Sequence, residues 1–306
     1  AQAEFDRAWL NHQAGNSARA FQLFTNYVVR FPTNQLAPVA QKWIADHQFQ
    51  SGKFIEAEQG YRRLFENTNL LANAPGMEWE ARLSAGRSAF FRQEHAAAEL
   101  LLASVVNATN APVAELARAE FYLGDVAADQ TGRTPTNLLD ALPHYQRVAN
   151  ELPNSPLNPS AWGRIGDCHL QLGNLDSAME AYRIVTELPS ADVTTRSQAG
   201  LGLAHVLDKL AEAAGETEER EKLRKRSLEQ CMEIVFGGNL RSANEKLDPF
   251  WVKEAGLMAG RLARRLGRAE QEWKVYSRLA KELPGMSLWQ AKLDGLRVKQ
   301  ETLKKP

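Results

Sequence analysis

The stretch from Asn158 to Pro189 reads NPSAWGRIGDCHLQLGNLDSAMEAYRIVTELP. Trp162, Ile165, Gly166, His169 and Leu172 recur at helical spacing and share one face of a first helix. Gly173-Asn174 breaks that helix, and Pro189 ends a second one whose inner face carries Leu175, Ala178, Tyr182 and Val185. Neither short helix can bury its apolar stripe alone, so the pair has to stack on similar pairs.

The rest of the chain supplies them. A small residue in the middle of each second helix serves as a ruler: Ala20, Ala57, Ala98, Ala141, Ala178, then Ser227 and Glu272. Four residues later stand Phe24, Tyr61, Leu102, Tyr145, Tyr182, Cys231 and Tyr276. Residues four apart lie on one helix face, so the small residue admits a neighbouring backbone while the large one fills the space beside it. The first helices add Phe5 and Trp9, Trp43 and Phe49, Gly86 and Phe90, Phe121 and Gly124, Gly200 and Leu203, and Trp251 and Gly260. This pattern predicts an all-α, right-handed solenoid of about seven helical pairs. A last helix over Ser287–Leu303 is expected to cap it, covering the final apolar face as stacked repeats require. The whole chain is expected to be one such domain, regular over 1–189, irregular and extended over 190–249, with the last repeat and cap over 250–306. Two loops are expected, at Thr131–Asn137 and Phe236–Pro249. Glu216–Ser227 reads as the solvated face of a long helix with Glu218–Lys222 and Glu221–Lys225 pairs. Arg92-Gln93-Glu94 forms the one tight turn lacking a glycine among the early repeats.

Composition limits the function. The chain has 306 residues, 44% hydrophobic and 24% charged, with no net charge, which argues against general affinity for nucleic acid. The 13 Lys/Arg against 6 Asp/Glu from Lys253 onward make only the C-terminal end basic. No uncharged run is long enough to insert in a membrane. The chain opens on Ala1 rather than Met and is read as a processed or trimmed product. Cys168 and Cys231 fall at packing positions and read as buried thiols. The six histidines are scattered without metal-binding spacing. Cys168 and His169 point about 100° apart on one helix. No nucleophile motif or phosphate loop is present. No enzyme activity, metal or cofactor is expected.

Repeat five closely resembles the tetratricopeptide motif, with Trp162, Ile165-Gly166, His169, Gly173, Leu175, Ala178, Tyr182 and Pro189 at its signature places. Ruler separations of 37 to 49 residues exceed the motif's 34, which implies longer helices or loops. The segments Ala20-Phe21 to Phe31-Pro32, Leu36-Ala37-Pro38, Gly52-Lys53-Phe54 and Glu56-Ala57 are similar to bacterial envelope members of this family, the YbgF-type periplasmic proteins of the Tol-Pal system and the outer-membrane assembly lipoproteins. The resemblance implies a non-enzymatic adaptor that binds a protein or peptide in a bacterial periplasm or envelope. It also implies that the first helix of each repeat lines the binding groove. The residues carried there are Phe5, Trp9 and His12; Lys42, Asp46 and Phe49; Arg87 and Phe90; Asp125 and Asp129; Asp167 and Gln171; and Arg261 and Arg264. Phe5, Phe49 and Phe90 stand equally as core. Asp46, Asp125 and Asp167 occupy one place in three repeats, and as an acidic wall they would favour a basic or amide-rich segment. The carboxylate-clamp places hold Phe5, Trp9, Lys42 and Asp46, so a clamp for a C-terminal carboxylate is not reproduced. Two alternatives stay open: a carbohydrate- or small-ligand-binding solenoid using Trp9 and Phe90, and a structural subunit that self-associates through its convex face or basic end.

Overall fold

The computed structural model describes residues 1–130, 134–215, 218–284 and 287–303, with side chains of the last helix to 297. Among the described residues there is no strand. Seven helical pairs follow one another: α1 (Gln2–Gln13) with α2 (Ser17–Arg30), α3 (Ala37–Gln50) with α4 (Phe54–Glu66), and, after the short α5 (Thr68–Ala72), α6 (Met77–Phe91) with α7 (His95–Val106) and α8 (Val113–Asp129) with α9 (Pro135–Gln146). Then come α10 (Asn158–Leu172) with α11 (Leu175–Glu187), α12 (Val193–Ala213) with α13 (Glu218–Phe236), α14 (Pro249–Arg265) with α15 (Ala269–Glu282), and the single α16 (Ser287–Leu303). The helices group into two compact units, Ala1–Leu157 and Asn158–Pro306, a boundary of which the ruler gives no sign. α16 buries Trp289, Leu293 and Leu296 against Val275, Tyr276 and Leu279, and so covers the last pair of its unit.

The ruler positions are buried between the helices. Ala20, Ala57, Ala98, Ala141 and Ala178 have no exposed surface. Ser227 is equally buried and donates its hydroxyl to the Ala204 carbonyl at 2.7 Å. Glu272 is buried and ion-paired to Arg264. In four repeats the large residue four positions on, Leu102, Tyr145, Tyr182 or Tyr276, packs against a glycine of a first helix. A Cβ built on Gly124 would lie 2.5 Å from the Tyr145 ring, and on Gly86 2.8 Å from Leu102. Tyr182 is clasped twice: a Cβ at Gly166 would meet it at 2.6 Å and one at Gly202 at 2.4 Å. The aromatic ring therefore rests on bare backbone of both α10 and α12, which sets how near these helices approach.

Tight turns within pairs need a left-handed residue, supplied by Gly15, Gly52, Gly173 and Gly267 at positive φ. In repeat three Gln93 takes the same conformation at φ 64°, so the turn forms without glycine at the cost of some backbone strain. The repeat-four loop is shorter than the composition suggests. Residues 131–133 lie outside the described residues, but Thr134 caps α9 and Asn137 is already helical. Pro143 inside α9 removes one N–H from the helix ladder, and Arg147–Glu151 continue the helix as a π turn. In α13, Lys225 pairs with Glu221 at 2.7 Å as the spacing suggests, whereas Lys222 turns to Glu219, one residue beyond the expected Glu218. Glu216 lies outside the described residues.

The segment between α13 and α14 is strapped down rather than loose. Arg196 of α12, only 4% exposed, reaches into it and donates to the Asn239 carbonyl at 3.1 Å and to Glu245 at 2.6 Å, while also donating to the Ala191 carbonyl. Arg241 reaches back to the Thr186 and Leu188 carbonyls at 2.6 and 2.5 Å. Asp248 then caps α14 through the Phe250 amide at 2.9 Å. Cys168 and Cys231 are buried free thiols, and burial pushes the Cys231 thiol up to about 12.

Gly166→Leu should force the Tyr182 ring against Gly202 and cost about 1–3 kcal/mol, toward the upper end because the ring has backbone on its other side. Thermal denaturation checks this: an unchanged Tm would show that the α10–α11 contact is not as close as described.

A candidate binding face on the first helices

In the first unit the face is built by α1, α3, α6 and α8. α1 presents Trp9, 38% exposed, with His12 edge-on to it at 5.4 Å between ring centroids. His12 also meets Trp43 of α3 at 5.3 Å, and Trp43 stacks on His47 at 5.3 Å, so a chain of rings crosses from the first helix to the third. Phe5 stacks on Trp9 at 6.2 Å from the inner side. It is buried, with its ring edge-on to Phe24 and Tyr27 at 5.4 and 5.6 Å, whereas Trp9 reaches only Phe24 of α2, at 6.5 Å, and keeps an exposed edge. Phe5 is core.

The three aspartates have a different task from the one their spacing suggests. Tyr61 donates its hydroxyl to Asp46 at 2.7 Å, Tyr145 to Asp125 at 2.8 Å and Tyr182 to Asp167 at 2.6 Å. For Tyr145 and Tyr182 the acceptor follows the glycine on which the ring packs, Gly124-Asp125 and Gly166-Asp167; Asp46 follows Ala45, which lies against Gly60, the neighbour of Tyr61. The pair is one device, in which backbone closeness seats the ring and the next side chain receives its hydroxyl. Asp46 also takes Lys42 at 2.8 Å, which in turn contacts Glu80 at 3.2 Å. Asp167 accepts from Gln198 at 3.2 Å as well. The carboxylates therefore do not stand as a free acidic wall. Burial and the Asp46 carboxylate push the Tyr61 hydroxyl far above its ordinary range, and burial and Asp167 do the same to Tyr182. Burial also raises Asp167, against the opposing hydrogen bond from Tyr182, the charge of Arg164 and the bond from Gln198.

Repeat three lacks this device. Leu102 stands at the tyrosine place and Arg87 at the aspartate place. The Arg87 guanidinium lies over the Phe49 ring at 5.2 Å and the Tyr122 ring at 5.1 Å, between α3 and α8. Beside it opens a cavity of about 160 Å³ lined by Arg87, Phe90, Phe91, Leu102, Tyr122, Asp125 and Val126. Phe91 stacks on Phe54 at 5.1 Å and stays half exposed. The structure thus brings Phe49, Arg87, Phe90 and Asp125 together. Asp129 sits nearby with His95 at 3.6 Å. Tyr122 and Phe91 complete the cleft although the repeat pattern does not single them out. Tyr122 precedes Asp125 by three residues and so shares its helix face, a signal that was available in the sequence.

The second unit holds the remaining positions. Gln171 and Arg261 are exposed, and Arg264 is tied to the buried Glu272 across its own pair. Among the described residues no group of three His, Cys, Asp or Glu could hold a metal ion, and no helix is long and apolar enough to cross a membrane.

Because burial raises the folded-state value of Asp167, its ionisation opposes folding: the fold binds this proton more tightly than the unfolded chain. The stability contributed by the protonated form is present below the ordinary value of 3.8 and is lost as pH rises from there through the raised folded value. Relative to Asp167→Asn, the native chain should therefore lose stability as pH rises above the ordinary value of 3.8. Urea unfolding of both proteins across that range measures the difference, and a constant gap would contradict it.

A family model described as a tetratricopeptide repeat matches residues 136–192, the part of the chain that holds α9, α10 and α11. Among solved structures, the C-terminal part of a TPR repeat-containing protein from Cytophaga hutchinsonii superposes with a TM-score of 0.58 at 10% identity, covering 94% of this chain and 99% of that one. A tetratricopeptide repeat protein from Parabacteroides merdae superposes with a TM-score of 0.56 at 11% identity, covering 97% and 98%. No curated protein matches the sequence. Residues 136–192 thus carry a tetratricopeptide repeat, and the chain has the all-helical repeat fold of these two proteins.

Proposed function

We propose that this chain is a non-catalytic scaffold that binds a peptide or protein segment on the first-helix face of its first unit, and that it works in assembly of a bacterial cell envelope. The observation that carries the binding role is the cleft around Arg87. Three successive first helices contribute to it: Phe49 comes from α3, Arg87 and Phe90 from α6, and Tyr122 from α8. Rings held at fixed spacing by packed helices, and left partly uncovered, offer large contact area with little ordering cost on binding. Tetratricopeptide repeats generally mediate protein–protein contacts, which supports the same role. The envelope assignment rests on the likeness of the Ala20–Pro32 and Leu36–Ala57 segments to envelope members of the family. The two bacterial structures of the same fold are compatible with it.

Panning a random dodecapeptide display library on the purified chain should enrich binders, and Phe91→Ser with Tyr122→Ser should weaken them about tenfold or more while Tm stays within a few degrees. Absence of enrichment, or binding indifferent to both substitutions, would reject this face. Immunoblotting of fractionated source cells addresses the compartment: recovery in the cytosol alone removes the envelope role.

A further inference from the structure

Resting on the reading of this face as a peptide-binding one, we propose that the Arg87 cleft is a two-part pocket selecting a segment in which an aromatic or leucine side chain adjoins a carboxylate. Three observations carry this. First, the cavity is the place where the repeat device fails. In repeats four and five a tyrosine ring rests on the glycine and reaches the following aspartate; in repeat three Leu102 meets Gly86 but has no ring or hydroxyl to extend toward residue 87. Second, the lining is mostly apolar or aromatic, Phe90, Phe91, Leu102, Tyr122 and Val126, and the space holds about 160 Å³. An apolar cavity of about 150 Å³ accommodates benzene, so one phenyl or isobutyl group fits.

Third, the rim carries a cation without an acceptor. The Arg87 guanidinium touches two rings but makes no hydrogen bond and no ion pair among the described residues, although it is half buried. A guanidinium presents donors in a planar fork suited to a carboxylate, and stacking on rings holds that fork in place. The neighbouring carboxylates are engaged elsewhere: Asp46 with Tyr61 and Lys42, Asp125 with Tyr145. A partner's carboxylate would fill the vacant donors of Arg87, while its adjoining apolar side chain enters the cavity. The preferred segment therefore has one carboxylate beside one apolar anchor.

The same library, read by sequence, tests this. Enriched peptides should share an aromatic or leucine residue next to Asp or Glu. Resynthesised peptides with that acid changed to its amide should bind the native chain about tenfold or more weakly, the usual scale for a hydrogen bond to a charged group. Arg87→Met should abolish the difference between acid and amide but keep the apolar preference. Leu102→Tyr, which restores the ring seen in the other repeats, should remove the apolar preference, with Tm confirming that both variants fold. Peptides that bind this face but carry no acid, or bind Arg87→Met as tightly as the native chain, overturn the two-part pocket and leave the binding face standing. Absence of any enriched peptide overturns both.

Discussion

A ring lying on bare backbone is the contact on which the rest of the molecule depends. Where α10 and α12 close on Tyr182, two glycines remove the side chains that would hold the helices apart, and the ring fills the space left between them. The hydroxyl is then left deep in the pair, where an unpaired polar group costs about 1–3 kcal/mol. The carboxylate next to the glycine meets it. Closeness therefore creates the need for the hydrogen bond, and the same dipeptide supplies the acceptor. Gly124-Asp125 against Tyr145 repeats the solution, and between α3 and α4 the closeness is transferred to Gly60 against Ala45 while Tyr61 still reaches Asp46.

Repeat three shows what happens when that arrangement is given up. With Leu102 there is no buried hydroxyl to satisfy, so residue 87 is released from its structural duty and carries the opposite charge. The guanidinium settles between rings of the two flanking first helices, and the volume that a phenol would fill stays open. A deviation inside a repeated pattern marks the site better than any motif does, since the remaining repeats define what the unmodified position is for.

Much of the fold was legible because it rests on periodicity. The alternation of Ala178 with Tyr182, and of the equivalent residues elsewhere, gave seven pairs and a capping helix, and the structure contains them. The site was legible in part. Arg87, Phe90 and Phe49 lie together because residues on the first-helix face must. The aspartates misled because a carboxylate one turn before a helix end looks like solvated charge; only the distance to a tyrosine fifteen or twenty residues away reveals its use. Phe5 stayed open between core and groove, because how far α2 covers it and its neighbour Trp9 depends on helix crossing, which local spacing does not encode. The Arg92-Gln93-Glu94 turn was legible, but the left-handed conformation of Gln93 within it was not, since it runs against the residue's own preference.

The strap at Arg196 bears on the order in which the chain acquires its shape during synthesis. Arrays of helical pairs can grow by adding one unit to the previous one. Arg196 draws its acceptors from Ala191 behind it and from Asn239 and Glu245 far ahead. Until residue 245 has left the ribosome, α12 holds a cation at a position that the finished fold buries, and removing one partner of such a pair is costly. Elongation through this region is therefore not a smooth zipper. The bonds that tie Arg196 to Asn239 and Glu245 can form only after those residues have been synthesised.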